Sequence, residues 1–346
     1  MSILISLSKF LRATGPGVAL AALVGLAASL LESWLRPRGV ALPAIVLALG
    51  LGVLLHTPAT QPIYQKGLTF SVKRLLRVAI ALMGLRIALS DIAALGAGVV
   101  MLTLAVMATT VVSGFLIARL VGLAAGYGAL AGAACGVCGA SAALATSTVT
   151  PESRDKSADL VFVVVAANAV ATLQMLVYPT LCLQMGFSDQ ASGVLLGLAI
   201  HDMAQVAGAG YAVSLAVGNV AVIVKLLRVF LLLPVVVGIG QWFARDGGQG
   251  AGRAEVQMPW FAVVFVLLAG VNSLAPHTAL EDLYRPVRGA LLSLSQWGLL
   301  LAIAALGLNT SIKGLLASGW RRGAVFLGAT AVNLAVALVG ILLLMR

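Results

Sequence analysis

The chain has 346 residues, of which 61% are hydrophobic and 10% are charged, and its mean hydropathy is +1.08. Because charged residues make up about a quarter of a soluble domain, this composition excludes a soluble globular protein and indicates a polytopic membrane protein. The net charge of +11 does not predict a nucleic-acid partner. Its Lys and Arg residues lie mainly between apolar segments, where such residues anchor spans in a bilayer, so membrane lipids are the expected surroundings.

Apolar segments recur from one end of the chain to the other with short polar gaps, and a membrane span needs about 20 such residues. Lys9 and Arg12 precede the first segment as in a signal peptide, but no small-residue cleavage site follows, so we interpret it as a retained first helix. The pattern predicts an all-α fold with ten or eleven spans and a single domain, 1–346. The predicted spans are 15–34, 39–56, 72–90, 94–118, 127–149, 159–184, 191–214, 218–243, 258–275, 287–308 and 322–345.

Small residues dominate the segment GAACGVCGASAALATSTVT, Gly132 to Thr150. Its glycines predict a break in the helix, and irregular backbone at membrane depth is tolerated only where it is buried in protein or lines a wet cavity. A helix that restarts after the break presents unpaired N–H groups and a dipole that favour an anion. The candidate binding residues here are Gly136, Cys138, Gly139, Ala140 and Ser141.

The three cysteines, Cys135, Cys138 and Cys182, all lie in apolar segments. Cys135 and Cys138 form a CxxC motif, but a redox or zinc site needs further ligands or a soluble βαβ context. We therefore interpret them as small packing residues and predict neither a disulfide framework nor a metal site.

A second polar interruption lies in AIHDMAQVAGAG, Ala199 to Gly210. Ionisable residues inside a membrane are costly and usually face a cavity or a partner, so His201, Asp202 and Gln205 are candidate site residues. A continuous helix would bring His201 and Gln205 to one face, and His201 with Asp202 could relay a proton. The alternative is a polar pair that water solvates at the end of a loop.

Lys225 and Arg228 lie one turn apart in AVIVKLLRVFLLLP and have no acidic partner in that segment. Two cations on one helix face would attract an anion. The alternative is snorkelling, in which the long side chains reach the headgroups.

Two internal similarities indicate repeats. IALMGLRIALSDIAALGAG, Ile80 to Gly98, aligns without gaps on IAALGLNTSIKGLLASGWR, Ile303 to Arg321, with six identities that include Gly84 with Gly307. Seven predicted crossings separate the copies, which are centred near 72–98 and 295–321, so they should run in opposite directions, as in secondary transporters. A looser parallel relates the segments 132–143 and 193–204, which both begin with GxxxG.

Catalytic templates are absent from the sequence, which has no GxSxG, HExxH, Walker or EF-hand motif. We therefore expect no enzymatic activity, no cofactor and no ATP-driven pumping by this chain.

Three ordered motifs, LLRVAIALMGLRIALSDI, CGVCGASAALATSTV and GLAIHDMAQVAGAG followed by VKLLRV, resemble the bacterial YeiH-type membrane proteins, a family described as sulfate exporters. The similarity covers residues 15–345. It implies a fold related to the bile-acid and sodium/proton antiporter group, with inverted repeats and two broken helices that cross near the midplane. The matching positions are Cys138 to Ser141, His201, Asp202, Gln205, Val206, Lys225 and Arg228.

The chain departs from the family pattern at three places. It has Gly136-Val137 where a small residue and Ile are common, Met203 where Thr is usual, and LATSTV where a Pro commonly follows. Loss of the Thr hydroxyl affects which anion would be bound.

The sequence therefore predicts a secondary transporter in the bacterial inner membrane that exports a small oxyanion such as sulfate or sulfite, with proton coupling as an option. One alternative is a sodium/proton antiporter that uses Asp202, and another is a channel or a sensor. One Asp against Lys, Arg and His near the breaks favours the anion. Association into a homodimer stays open.

Overall fold

The computed structural model describes residues 2–38, 42–245, 260–275, 281–309 and 320–345. Within these ranges the regular structure is helical and no β-strand occurs. Six helical stretches are long and apolar enough to cross a membrane: Arg12–Arg38, Gly96–Leu120, Lys156–Gln184, Leu215–Arg245, Tyr284–Asn309 and Trp320–Leu344. The prediction of an all-α polytopic membrane protein is confirmed.

The helices follow one another closely along the chain. In order they are α1 Ser2–Leu35, α2 Ala44–Leu54, α3 His56–Ala59, α4 Pro62–Phe70, α5 Leu76–Met83, α6 Leu89–Ala94, α7 Gly96–Leu120, α8 Ala125–Ala133, α9 Ala140–Ser147, α10 Lys156–Gln184, α11 Asp189–Ala199, α12 Met203–Val213, α13 Leu215–Phe230, α14 Leu232–Arg245, α15 Trp260–Leu274, α16 Glu281–Asn309 and α17 Trp320–Leu344. Two π-helical turns, Ser71–Leu75 and Ala134–Cys138, precede α5 and follow α8.

The described residues form two compact units. Unit 1 is drawn from Met1–Ile92 and Trp260–Ser311, and unit 2 from Ala93–Pro259 and Ile312–Arg346. The expectation of a single domain stays a prediction.

Unit 1 is held together by helices whose backbones touch at glycines. A Cβ atom built on Gly17 of α1 would lie 2.1 Å from the Tyr64 carbonyl oxygen of α4. One built on Gly52 of α2 would lie 2.7 Å from the Ala304 carbonyl oxygen of α16. Small residues at such positions let helices approach closely in a membrane, so any larger side chain there would separate the pair.

The paired glycines of the predicted repeat also have matching surroundings. A Cβ atom on Gly84 would lie 2.2 Å from the Phe265 carbonyl oxygen, and one on Gly307 would lie 2.5 Å from the Leu49 carbonyl oxygen. Each glycine therefore permits close contact with a neighbouring helix. Residues 310–319 of the second copy lie outside the described residues, so the duplication stays a prediction.

In unit 2 the segment from α11 to α12 is a helical hairpin. Gly193 and Gly197 of α11 meet, in that order, Val220 and Ala221 of α13, so α11 and α13 run parallel. Gly210, near the end of α12, meets Gly218 near the start of α13, so α12 runs antiparallel to α13. We call Asp189–Val213 the second hairpin.

A side-chain contact closes the open end of the second hairpin. The Ser214 hydroxyl donates to the Asp189 carboxylate at 3.3 Å, joining the end of α12 to the start of α11. The predicted span 191–214 thus turns back to the end from which it started.

The segment from α8 to α9, Ala125–Ser147, is the first hairpin. Tyr127, at the start of α8, donates its hydroxyl to the Arg322 carbonyl oxygen at 2.7 Å. The Arg322 guanidinium in turn donates at 2.7 Å to the carboxylate of Asp159, which lies at the start of α10. The chain has therefore returned, by the start of α10, to the end at which α8 began.

The two hairpins enter unit 2 from opposite ends, because α10 connects them and its 29 residues span about 44 Å at 1.5 Å per residue. The resemblance implied two broken helices that cross. Both breaks are present, but each lies at the tip of a hairpin. The looser sequence parallel, 132–143 with 193–204, pairs these two oppositely directed hairpins.

Candidate functional site

The tips of the two hairpins touch each other. Gly139, at the first tip, has φ 60° and ψ −128°, a conformation that glycine adopts without strain. A Cβ atom built on it would lie 3.6 Å from the His201 carbonyl oxygen and 3.7 Å from the Asp202 Cβ at the second tip. The sequence predicted both breaks, and the structure brings them together.

Lys225, in the middle of α13, forms hydrogen bonds with both tips. Its side chain is fully buried. The ammonium group donates to the carbonyl oxygens of Val137 at 2.8 Å, Ile200 at 2.8 Å and His201 at 2.6 Å. Because an ammonium group has three N–H bonds, its donor capacity is fully used.

Arg228 repeats this arrangement one turn further along α13 and is also fully buried. At the first hairpin its guanidinium donates to the carbonyl oxygens of Gly136 at 3.0 Å and Cys135 at 2.9 Å. At the second hairpin it donates to Gly197 at 3.2 Å and also to Leu198. The carbonyl ends of the two helical segments, which lack intrahelical donors, therefore each accept hydrogen bonds from both cations.

These contacts revise the interpretation of the basic pair. Neither side chain reaches the surface of unit 2, so the snorkelling alternative is wrong. Their N–H groups are already bound to backbone oxygens, so Lys225 and Arg228 can attract a ligand by charge but have few donors left for direct contact.

The amino-terminal ends of α9 and α12 lie at the same tips and differ in their caps. At the second tip, the Asp202 carboxylate accepts a hydrogen bond from the Ala204 N–H at 3.0 Å. At the first tip the N-cap is Gly139, which has no side chain to accept from the helix. The first N–H groups of a helix have no intrahelical acceptor, so the start of α9 is the more open of the two ends.

Ser141 and Ala140 are accessible at this open end, since Ser141 is exposed and Ala140 is half-buried. The Ser141 hydroxyl donates to the Cys138 carbonyl oxygen at 2.9 Å and lies 2.9 Å from the Cys138 sulfur. The serine is thus held at the tip beside the unpaired N–H groups, while Cys138 packs beneath it.

His201 faces away from the accessible side of the tips. Its Nε2 lies 2.9 Å from the Thr330 hydroxyl of α17, and its backbone N–H donates to the Gln174 amide oxygen of α10 at 3.2 Å. Its ring is fully buried, with Phe326 edge-on at 5.6 Å. Asp202, by contrast, is half-buried. The two residues are adjacent in sequence but occupy different environments.

Gln205 is not on one helix face with His201, because α12 begins at Met203, after the histidine. The i, i+4 argument therefore does not apply. Gln205 is fully buried, and neither atom of its amide group has a hydrogen-bond partner in the described part of the chain; the same holds for His201 Nδ1.

Four polar residues behind the tips were missed by the sequence analysis. Asn333 donates to the Thr110 hydroxyl at 3.2 Å and to the Cys135 carbonyl oxygen at 3.4 Å. Gln174 and Thr330 hold His201 as described above. The available signal was that such residues are costly within apolar spans and usually face the protein interior.

A family model and several individual relatives match the chain, and the relatives all belong to one group of membrane proteins. The family described as Conserved hypothetical protein 698 matches residues 16–326. The chain is 36% identical over 338 residues to the UPF0324 membrane protein TauZ of Paracoccus denitrificans, covering 95% of each protein. It is 35% identical over 318 residues to a UPF0324 membrane protein of Rhizobium meliloti, covering 91% of this chain and 88% of that one.

A UPF0324 membrane protein of Chlorobaculum tepidum is 37% identical over 275 residues, covering 79% of this chain and 75% of the relative. No solved structure matches the chain.

Proposed function

Because the chain belongs to the family of Conserved hypothetical protein 698, the UPF0324 membrane proteins, which agrees with its YeiH-type resemblance, we propose that it is a secondary transporter of small oxyanions. The substrate class is sulfate- or sulfite-like, and the membrane is the bacterial inner membrane. The observation that carries this proposal is the meeting of two opposed hairpin tips over a pair of buried cations.

An anion is the ligand that suits the tips. The start of α9 supplies N–H groups and the positive end of a helix dipole. The Ser141 hydroxyl, which donates to the Cys138 carbonyl oxygen, can rotate to donate to a ligand instead. Lys225 and Arg228 lie directly behind, bound to carbonyl groups of both hairpins. Charges act more strongly in a weakly polarisable interior than in water, so two fixed cations favour an anion at this point.

The opposed entry of the hairpins supports alternating access. Each hairpin has its open end at one end of unit 2 and its tip at the shared contact. A movement that uncovers one side of the contact while the other stays covered would expose the ligand to the two sides in turn, as inverted repeats do in secondary transporters. The chain has no phosphate-binding loop to couple this movement to ATP.

Asp202 is the better candidate for proton coupling. It is half-buried at the tip, whereas His201 is enclosed by Gln174, Thr330 and Phe326. Asp202 is also the residue that a sodium/proton antiporter would use. Two buried cations nearby would repel a bound sodium ion, which favours the anion transporter over this alternative.

The test separates anion transport from coupling. Proteoliposomes containing the wild type should accumulate labelled sulfate or sulfite, and a pH gradient should change the rate. Asp202→Asn keeps an oxygen that can cap Ala204, so anion exchange against internal unlabelled anion should persist while the effect of the pH gradient disappears. Ser141→Ala is the matched variant at the other tip and should lower the apparent affinity for the anion.

The opposite pattern would establish the cation antiporter. If neither anion moves, and a sodium gradient drives proton movement that Asp202→Asn abolishes, the oxyanion proposal is wrong.

A further inference from the structure

A long apolar groove lies between α7 and α14 of unit 2. Its volume is about 570 Å³, and every side chain that lines it is apolar. The rim of the groove is open to the surroundings at Val112 and Leu116, which are 53% and 57% exposed. Its floor includes Met107 and Val111.

The groove ends at an aromatic cluster. The rings of Phe115 on α7 and Trp242 on α14 meet edge to face with centroids 4.8 Å apart, and Phe243 lies 4.7 Å from Trp242. Indole rings of this kind prefer the boundary between acyl chains and headgroups. This end of the groove therefore lies where the apolar part of the bilayer would end.

Two arginines follow directly beyond the aromatic cluster. Arg119 lies in the last turn of α7 and Arg245 in the last turn of α14, and both are exposed. Neither forms an ion pair with an acidic residue in the described ranges. The mouth of an apolar groove thus carries two positive charges.

We propose that this groove binds one acyl chain of an anionic phospholipid, with the lipid phosphate between Arg119 and Arg245. Leu104 and Leu116, which both line the groove, are twelve positions apart on α7, which is about 18 Å at 1.5 Å per residue. One leaflet of a bilayer supplies about 15 Å of acyl chain, half of a core of about 30 Å. The groove therefore has the length of one chain and the headgroup charge complements its mouth.

The narrow shape of the groove suits a lipid chain, and its floor contacts the first hairpin. A second copy of the protein would have to insert a slender apolar segment the whole length of the groove, whereas an acyl chain has that shape. The floor residues Met107 and Val111 pack against Gly136 in the first hairpin, where a Cβ atom would lie 3.2 Å from Val111. An acyl chain in the groove would therefore pack against the same α7 residues that contact the first hairpin. This inference does not depend on the transported substrate.

Gly238 gives a direct way to fill the groove. It lines the groove, and a Cβ atom built on it would meet nothing within 4 Å. Gly238→Leu should therefore fold normally and occupy the space of the acyl chain. Gly98→Leu is the matched control, because Gly98 is an exposed glycine of α7, outside the groove, that also has nothing within 4 Å.

The experiment is native mass spectrometry of the detergent-solubilised full chain with phosphatidylglycerol or phosphatidylcholine that carry the same acyl chains. We expect the wild type and Gly98→Leu to retain one phosphatidylglycerol. In Gly238→Leu the fraction of protein with bound phosphatidylglycerol should be at least tenfold lower. The double variant Arg119→Gln and Arg245→Gln should bind both lipids equally.

Three results would overturn the proposal. The first is unchanged phosphatidylglycerol retention in Gly238→Leu, and the second is equal retention of the two lipids by the wild type. The third is a change of oligomeric state in Gly238→Leu without any change in bound lipid, which would assign the groove to a second copy.

Discussion

Gly139→Ala should weaken anion binding through the backbone alone. At φ 60° and ψ −128° a residue with a Cβ is strained, at a cost of about 1–3 kcal/mol. The added methyl group itself has room, because its nearest neighbours lie at 3.6 and 3.7 Å, which is ordinary van der Waals contact. The strain is relieved only if the tip changes conformation and moves the start of α9 away from Asp202.

The expected size of the effect follows from this strain. A cost of about 1–3 kcal/mol shifts the equilibrium between the native and the relaxed tip roughly 5- to 150-fold toward the relaxed tip, and the apparent affinity falls by up to that factor. The assay is the concentration dependence of labelled sulfate or sulfite exchange in proteoliposomes, together with the thermal unfolding temperature of the purified protein.

Gly122→Ala is the matched control. Gly122 lies between α7 and α8, also has a positive φ of 74°, and has nothing within 4 Å of an added Cβ. A left-handed conformation costs a residue with a side chain about 1–2 kcal/mol, so the control should lose stability while its apparent affinity stays unchanged. Equal loss of affinity in both variants, or an unchanged affinity in Gly139→Ala, would refute the reasoning.

Two further predictions concern buried charges in unit 2. Lys225→Met removes the donor of three buried carbonyl oxygens, each of which costs about 1–3 kcal/mol when unsatisfied; part of this is offset by the desolvation of the ammonium group. The unfolding temperature of Lys225→Met should therefore fall. The control is Lys73→Met at an exposed lysine, which should change the free energy of unfolding by no more than about 0.5 kcal/mol. An equal loss of stability in both variants would contradict the role of Lys225. Arg322→Leu leaves Asp159, which is 9% exposed, without its partner and should cost about 1–3 kcal/mol. The double variant with Asp159→Leu should recover part of that loss in the same unfolding measurement, and no recovery would contradict the pairing.

The breaks could be predicted from sequence because each has a local chemical signature. Small residues around Gly139 do not support a continuous membrane helix, and the His201–Asp202 pair is too polar for an ordinary apolar span. The direction of the chain after each break has no such signature. A segment of about 25 residues has the same composition whether it crosses the membrane or returns, and the contacts of Gly193 and Gly210 with α13 decide the outcome.

The role of the basic pair shows a second limit of sequence reasoning. The sequence showed Lys225 and Arg228 without an acidic partner in an apolar segment, but it left open whether their charges stay inside the protein or reach the headgroups. Their partners could not be predicted, because they are backbone oxygens of residues 24 to 93 positions away. Only a turn in the chain frees these carbonyl groups from their helical partners, and no side-chain pattern marks which helix will supply the donors.

If the chain works as the proposed anion transporter, the buried cations would also set the sign of the charge that crosses the membrane in each half of the transport cycle. Lys225, Arg228 and an ionised Asp202 leave the empty tips with a formal excess of one positive charge, and a bound dianion reverses that sign. Each elementary charge moved through 100 mV is worth about 2.3 kcal/mol. The membrane potential would therefore drive the loaded and the empty tips in opposite directions, so that a negative interior favours both the exit of the anion and the return of the empty site.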